Sequence, residues 1–200
     1  MSGRDPDRRR TLLDAADRVI TREGPEVSMA AIAAEAGVTK PILYRHFGDK
    51  SGLYQALADR HVRTVIGRLR PWLAAPGIDP RGRARAAISV YLDLVSANFN
   101  LYRFLFDRAG AEDTALRSRM TSLVRGLGEE LGGVLAAEGV VADPVRAQVL
   151  GHAFVGMVQT TGDWWLEHPE VDRTQVVEGL VDVIAAALSG ARAPHAVEGA

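Results

Sequence analysis

Apolar residues in this chain recur almost throughout at the three- and four-residue spacing of a helix. Leu12, Leu13, Ala16, Val19 and Ile20 share one face of a first helix, and Gly24-Pro25 stops it. Ser28 stands as an N-cap before a short alanine-rich helix over 29–36, which Gly37 closes. Thr39 caps a third short helix carrying Ile42, Leu43 and Tyr44. Pro41 lies in its first turn, where a missing N–H costs little. Phe47-Gly48 interrupts the pattern, and Asp49 caps a longer helix through Leu53, Ala56, Leu57, His61 and Ile66. Pro71, Pro76, Gly77 and Pro80 predict the main interhelical loop.

Longer helices follow. The pattern predicts an amphipathic helix over 83–99, a short aromatic one over 101–108 and a long one over 111–138. Asp143-Pro144 opens another that reaches residue 166, with Pro169 just behind it. Asp172 caps the last, whose broad apolar face holds Val176, Val177, Leu180, Val181, Ile184 and Leu188. From Gly190 the chain turns small and polar, which predicts a frayed tail. No strand pattern and no internal repeat is visible. The expected fold is all-α, with about nine helices. A three-helix N-terminal domain over 1–55 precedes a helical domain over 56–200.

Residues 28–50 have the form of a helix-turn-helix. Ala30, Ala31, Ala33, Ala34 and Ala36 keep the first of its two helices thin, so the second can cross it closely. Ile32 and Leu43 would pin that crossing, and Gly37 permits the left-handed turn between them. The second helix can then offer its N-terminal residues to the major groove of DNA.

Composition narrows the chemistry. The chain has no cysteine, which removes disulfides, thiolate nucleophiles and cysteine-ligated metals. The polar, arginine-rich start lacks an apolar segment behind it, so no signal peptide is expected. No run approaches the roughly 18 uninterrupted apolar residues of a membrane span. The expected location is the cytoplasm, away from any membrane. The net charge of −1 argues mildly against nucleic acid, but its distribution does not. Arg8, Arg9 and Arg10 form a basic start, and Lys40, Arg45, His46 and Lys50 cluster farther on. Lys40 and Lys50 are the only lysines in the chain. Such clusters are also commonly plain solvated faces.

The string Val27-Ser28-Met29-Ala30-Ala31-Ile32-Ala33-Ala34-Glu35-Ala36-Gly37-Val38-Thr39-Lys40, followed by Leu43-Tyr44-Arg45-His46-Phe47-Gly48-Asp49-Lys50-Ser51-Gly52-Leu53, strongly resembles the DNA-binding domain of the TetR family. The likeness covers roughly the first sixty residues; beyond them only helix number and order agree. The resemblance implies a dimeric transcriptional repressor on a palindromic double-stranded operator, released by a small-molecule effector. It implies that Thr39, Lys40, Tyr44 and His46 face DNA, with Tyr44, His46 and Lys50 mostly on phosphates and Ser28 contributing from the preceding helix. Lys50 has an argument of its own. It sits at a helix N-terminus, where the macrodipole disfavours a cation unless a phosphate is brought against it. Tyr44 also fits a core aromatic, His46 a partly buried structural histidine, and Phe47 and Leu43 belong to the core.

Nine of the twelve aromatics lie after residue 70, where they are either plain core or the wall of an effector cavity. Tyr102, Phe106, Phe154, Met157, Gln159, Thr160 and Trp164 are the candidates, apolar with a few polar groups. The resemblance places the dimer interface on the last two helices, at Gly151, Val155, Val158, Gly162, Val177, Leu180, Val181, Ile184 and Leu188; burial within one subunit is the other reading.

No enzyme motif survives scrutiny. Gly126 to Gly132 has the wrong spacing for a dinucleotide loop and no preceding strand. Gly48-Asp49-Lys50-Ser51 lacks the adjacent Gly-Lys of a phosphate loop, and no serine sits in a nucleophile elbow. The five histidines show no metal-ligand spacing. No catalytic residue, metal or cofactor is expected. Two rivals stay open: a DNA binder of this fold that no small molecule controls, marked by an absent C-terminal cavity, and a helical enzyme or carrier whose helix-turn-helix is vestigial, marked by failure to retard DNA.

Overall fold

Local caps set most helix boundaries. In a computed structural model describing residues 4–24, 26–103 and 114–192, the helices are α1 (Arg4–Glu23), α2 (Met29–Glu35), α3 (Lys40–Phe47), α4 (Lys50–Leu73) and α5 (Pro80–Ala97), a helical stretch over 99–103 (α6), α7 (Thr114–Ala137), α8 (Pro144–Leu166) and α9 (Arg173–Arg192). The fold is all-α, with no strand among the described residues.

The caps repeat one piece of chemistry. An aspartate carboxylate accepts backbone N–H groups of the first turn, satisfying donors the helix cannot. Asp143 accepts from Val145 at 2.8 Å and Asp172 from Thr174 at 2.7 Å. Asp79 accepts from Gly82 at 2.6 Å. That cap starts α5 at Pro80 instead of at 83, with the proline where its missing N–H is harmless.

Two other boundaries differ from expectation. Pro71 lies inside α4, not in a loop. A proline this close to a C-terminus removes one hydrogen bond, and the helix stops two residues later. Gly190, expected in a frayed tail, lies inside α9; the Arg146 guanidinium donates to its carbonyl at 3.2 Å, satisfying an end the helix leaves open.

The chain divides into two compact units. Met1–Thr64 with Ala97–Thr121 forms the first, and Val65–Ser96 with Ser122–Ala200 the second. The core of the first unit gathers Leu12, Val19, Ile20, Ile32, Leu43, Leu53 and Leu57, all fully buried. Ion pairs fasten its helices from outside. Arg18 and Arg22 reach from α1 to Glu35 on α2, at 2.8 and 3.1 Å, and hold that carboxyl below the usual range. On α4, Arg60 pairs with Asp14 and His61 Nε2 lies 2.7 Å from Asp17.

The second unit packs α5, α7, α8 and α9 around Ile88, Leu92, Leu135, Phe154, Val177, Val181 and Ile184. Glycines bring α7 and α8 into backbone contact: a methyl on Gly151 would overlap the Gly128 carbonyl and the Gly132 amide. Residues Arg173–Ala191 of α9 are long and apolar enough to cross a membrane by length and composition. Packing accounts for much of that apolarity, because α9 turns Val177, Leu180, Val181, Ile184 and Leu188 into the core. Its charged flank is zipped to α5 through Arg81–Asp182, Arg85–Glu178 at 2.6 Å and Arg173–Asp93 at 2.8 Å.

Candidate nucleic-acid interface

Ser28 and Thr39 occupy equivalent N-cap positions but behave differently. The Ser28 hydroxyl accepts the Ala31 N–H at 3.1 Å, so only its own proton remains for an outside acceptor. Thr39 makes no side-chain cap hydrogen bond. An N-cap side chain normally takes an N–H from the second or third helical residue. Here the second is Pro41, and the third, Ile42, donates to the Thr39 carbonyl at 3.0 Å. The Thr39 hydroxyl is thus left unengaged at the open end of α3. Lys40 and Tyr44, four residues apart and both exposed, share a helix face.

The opposite face of α3 holds it down. Leu43 is fully buried and Phe47 nearly so, as their assignment to the core requires. Gly37 at φ +62° makes the turn from α2 and Gly48 at φ +82° the turn into α4, a region other L-residues rarely enter. His46 is half-buried, its ring 6.5 Å from that of Phe47. Asp49 caps α4 by accepting the Gly52 N–H at 2.7 Å. Gly52 cannot be larger, because a methyl there would overlap the Phe47 carbonyl oxygen. Sequence reasoning gave Gly52 no role; an aspartate cap followed three residues later by glycine was the available signal.

Lys50, the first residue of α4, is exposed, with its ammonium 5.4 Å from the centroid of the Tyr54 ring. Arg9, on α1, places its guanidinium 4.9 Å from the centroid of Phe47. The sequence marked Arg8 to Arg10 as basic but not which of them lies against α3. Lys40, Arg45, Lys50 and Arg9 form no ion pair among the described residues. The structure therefore assembles Thr39, Lys40, Tyr44 and Lys50 at and around one short helix, with Ser28 at the head of the neighbouring one and His46 half inside.

The candidate effector residues are not gathered so clearly. Phe154 is buried in the second unit's core and Met157 packs against it. Gln159 is half-buried, and Thr160 and Trp164 are exposed. Trp164 stacks on His168 at 4.8 Å. Tyr102 belongs to the first unit, and Phe106 lies outside the described residues.

Seven of the nine residues expected at a two-fold interface are buried within their own chain. Val177, Leu180, Val181, Ile184 and Leu188 are buried by their own chain, which accounts for the apolar face that drew attention to them. Gly151 is closed against α7 and Gly162 against the Tyr91 ring, 2.9 Å from where its Cβ would lie. Val155 and Val158 are half-buried. What stays outside is another stripe: Val145, Val149, Ala153 and Thr160 on α8, with the half-buried Gly156 among them, and Gly179, Val183 and Ala186 on α9. Val145 and Val149 are 71% and 60% exposed and Val183 54%, unusually open for valines. Nothing approaches the places where Gly156 and Gly179 would carry a Cβ.

A fastened helix-turn-helix, whose second helix is surrounded by cations that meet no carboxylate among the described residues, is joined in one chain to a second helical unit, the make-up of a DNA-binding protein. Comparison agrees. Residues 12–57 match the family described as bacterial regulatory proteins, tetR family, and residues 68–199 match the tetracyclin repressor-like C-terminal domain. The chain belongs to the TetR family of transcriptional regulators.

Among its relatives is the HTH-type transcriptional activator FasR of Mycolicibacterium smegmatis, 28% identical over 177 residues, covering 88% of this chain and 80% of that one. The HTH-type transcriptional regulator BetI of Yersinia pestis is 37% identical over 86 residues, 42% of this chain and 43% of that one. A TetR-like regulator from Rhodococcus sp. RHA1 superposes with a TM-score of 0.68 at 27% identity, over 92% of this chain and 96% of that one. The fatty acid degradation regulator FadR of Bacillus halodurans shares the fold, with a TM-score of 0.69 at 17% identity over 88% and 93% of the two chains.

Proposed function

We propose that the protein is a homodimeric repressor that holds a palindromic operator through Ser28, Thr39, Lys40, Tyr44, His46 and Lys50, and that a small apolar or aromatic effector releases it. In this reading residues 1–55 grip DNA, residues 56–200 bind effector and pair the subunits, and the protein works in the cytoplasm without catalysing a reaction. The observation that carries the reading is the N-terminal end of α3, where a threonine hydroxyl its own helix cannot use lies beside cations that meet no carboxylate among the described residues.

Dimerisation draws support from the stripe on α8 and α9. Open valines beside glycines with free space above them let a second backbone approach closely, and a second copy presents the same surface in return. The two recognition helices then lie about one DNA turn, roughly 34–36 Å, apart or slightly more. Met157, Gln159 and Trp164 offer an effector both apolar and hydrogen-bonding groups. Because effector and operator compete through one protein, operator must weaken effector binding by the same factor.

Footprinting of the protein on DNA flanking its own gene tests this. Two protected half-sites in symmetric array are expected, lost on adding an effector found by thermal-shift screening. A single unpaired footprint removes the dimer, and protection that no ligand disturbs removes the effector. One second reading has an observation behind it: the Mycolicibacterium relative is named an activator. Transcription from the footprinted promoter in vitro separates the two, since a repressor lowers it and an activator raises it.

A further inference from the structure

We propose that Arg9, on α1, is a second gripping point for DNA phosphate, held in readiness by the Phe47 ring at the end of α3. This rests on the helix-turn-helix face being the one that meets DNA, and adds to it a residue from outside the motif.

Three observations lead there. First, three α1 arginines are committed elsewhere: Arg10 to Asp7 at 3.2 Å, and Arg18 and Arg22 to Glu35. Among the described residues the exposed Arg8 and Arg9 are not, and of these two only Arg9 lies against a ring. Arg9 is exposed and meets no carboxylate among the described residues. Second, its guanidinium lies over an aromatic ring. A phenyl ring offers no oxygen acceptor, so the contact restrains the side chain while leaving its fork of donors without an oxygen partner. Salt-bridging to a protein carboxylate would have used that fork up. Third, the ring is well anchored and well placed. Phe47 is 8% exposed in the first unit's core, ends α3, and stands three residues before Lys50. Lys50 repeats the arrangement on Tyr54. Two cations, each steadied on an aromatic ring, thus flank the junction of α3 and α4, and a fork of this shape suits phosphate oxygens.

The test is a salt titration of the full-length protein on a fluorescein-labelled duplex of scrambled sequence, about three DNA turns or roughly 30 base pairs long. Scrambled sequence suffices because phosphates carry no sequence information. Arg9→Ala should make the slope of log K against log salt shallower by about 0.9 per subunit, about 1.8 for a dimer. Arg9→Lys should keep the slope, since the charge remains, while losing part of the affinity. Arg10→Ala, on the same helix, should leave the slope unchanged. Phe47→Leu, which keeps the core apolar, should cost affinity in the wild-type background and nothing further in Arg9→Ala.

A slope unaltered by Arg9→Ala in a protein whose thermal unfolding shows it folded overturns the proposal and returns Arg9 to a structural role on Phe47. Equal losses from Arg9→Ala and Arg10→Ala overturn it too, since general surface charge would then explain both. Lys50→Ala separates this failure from a deeper one. If it flattens the slope and Arg9→Ala does not, only the Arg9 assignment falls. If the wild type shows no salt dependence at all, the DNA-facing orientation falls with it.

Discussion

The two units share one use of basic residues, and the first unit adds another around one of its short helices. In the second, Arg70, Arg81, Arg83, Arg85 and Arg173 each hold a carboxylate, and Glu130, Glu138 and Glu178 are kept below the ordinary carboxyl range by the arginines that hydrogen-bond them. In the first, Arg18, Arg22 and Arg60 are paired in the same manner where helices are fastened together. Lys40, Arg45 and Lys50, around the second helix of the helix-turn-helix, are left without carboxylates among the described residues. Paired cations close helix against helix, and open ones are available to a polyanion. A net charge of −1 conceals this division completely. Arg68 and Arg125 of the second unit are also open among the described residues, so it is the clustering of open cations around one short helix that sets the first unit apart.

The harshest way to break the contrast is to force an open cation into the second unit. Leu180→Arg buries a guanidinium with no partner where only 5% of the leucine is exposed. Its expected cost is about 4 kcal/mol or more, enough to abolish cooperative unfolding in a thermal melt. Val183→Arg, three residues on and 54% exposed, should leave the subunit folded but monomeric by light scattering. A folded Leu180→Arg, or a Val183→Arg that still dimerises, would exchange the two faces of α9.

Next in size is the joint beneath the open cations. Gly52→Ala pushes a methyl onto the Phe47 carbonyl and must part α3 from α4. Denaturant unfolding should show a loss of about 1–3 kcal/mol, with DNA affinity falling more than stability alone explains.

Lys50→Ala should barely alter folding, yet weaken binding to operator and scrambled DNA alike. The salt slope should shrink by about 1.8 per dimer. Thr39→Ala and Lys40→Ala should instead change preference among operator variants, if these side chains reach base edges. An operator-only effect for Lys50→Ala would reassign it from phosphate to base.

The smallest effect is expected from the paired cations. Arg85→Ala should lower the melting temperature slightly at neutral pH and leave the DNA salt slope alone, because its pair with Glu178 is exposed and screened. The pH sign follows from the depressed carboxyls. Their stabilisation is complete above the ordinary glutamate value of about 4.3 and disappears as pH falls through the lower folded values. Melting curves of wild type and Arg85→Ala should therefore converge at acid pH. A difference that persists there would mean that Arg85 acts through packing of its stem and not through charge.

Much of this molecule was legible along the chain because the relevant chemistry is local. Periodicity and caps located the helices, and Ser28, Gly37, Gly48 and Asp49 bounded the helix-turn-helix through bonds spanning three or four residues. One signature was read at Asp143-Pro144 and overlooked at Asp79-Pro80, where the same cap starts α5. Thr39, Lys40 and Tyr44, which the resemblance assigns to DNA, lie together for the same reason: they share one short helix and its cap.

Only tertiary structure decided what covers each apolar face and which charges meet. The pattern of α9 shows that Leu180 and Val183 are both apolar; the packing of α5, α7 and α8 buries the first and leaves the second open. The ion pair of Arg85 with Glu178 joins residues 93 positions apart, and that of Arg70 with Glu130 spans 60. A cap is chosen by the next turn of its own helix, whereas burial and charge pairing are chosen by helices distant in sequence, so no local pattern can announce them.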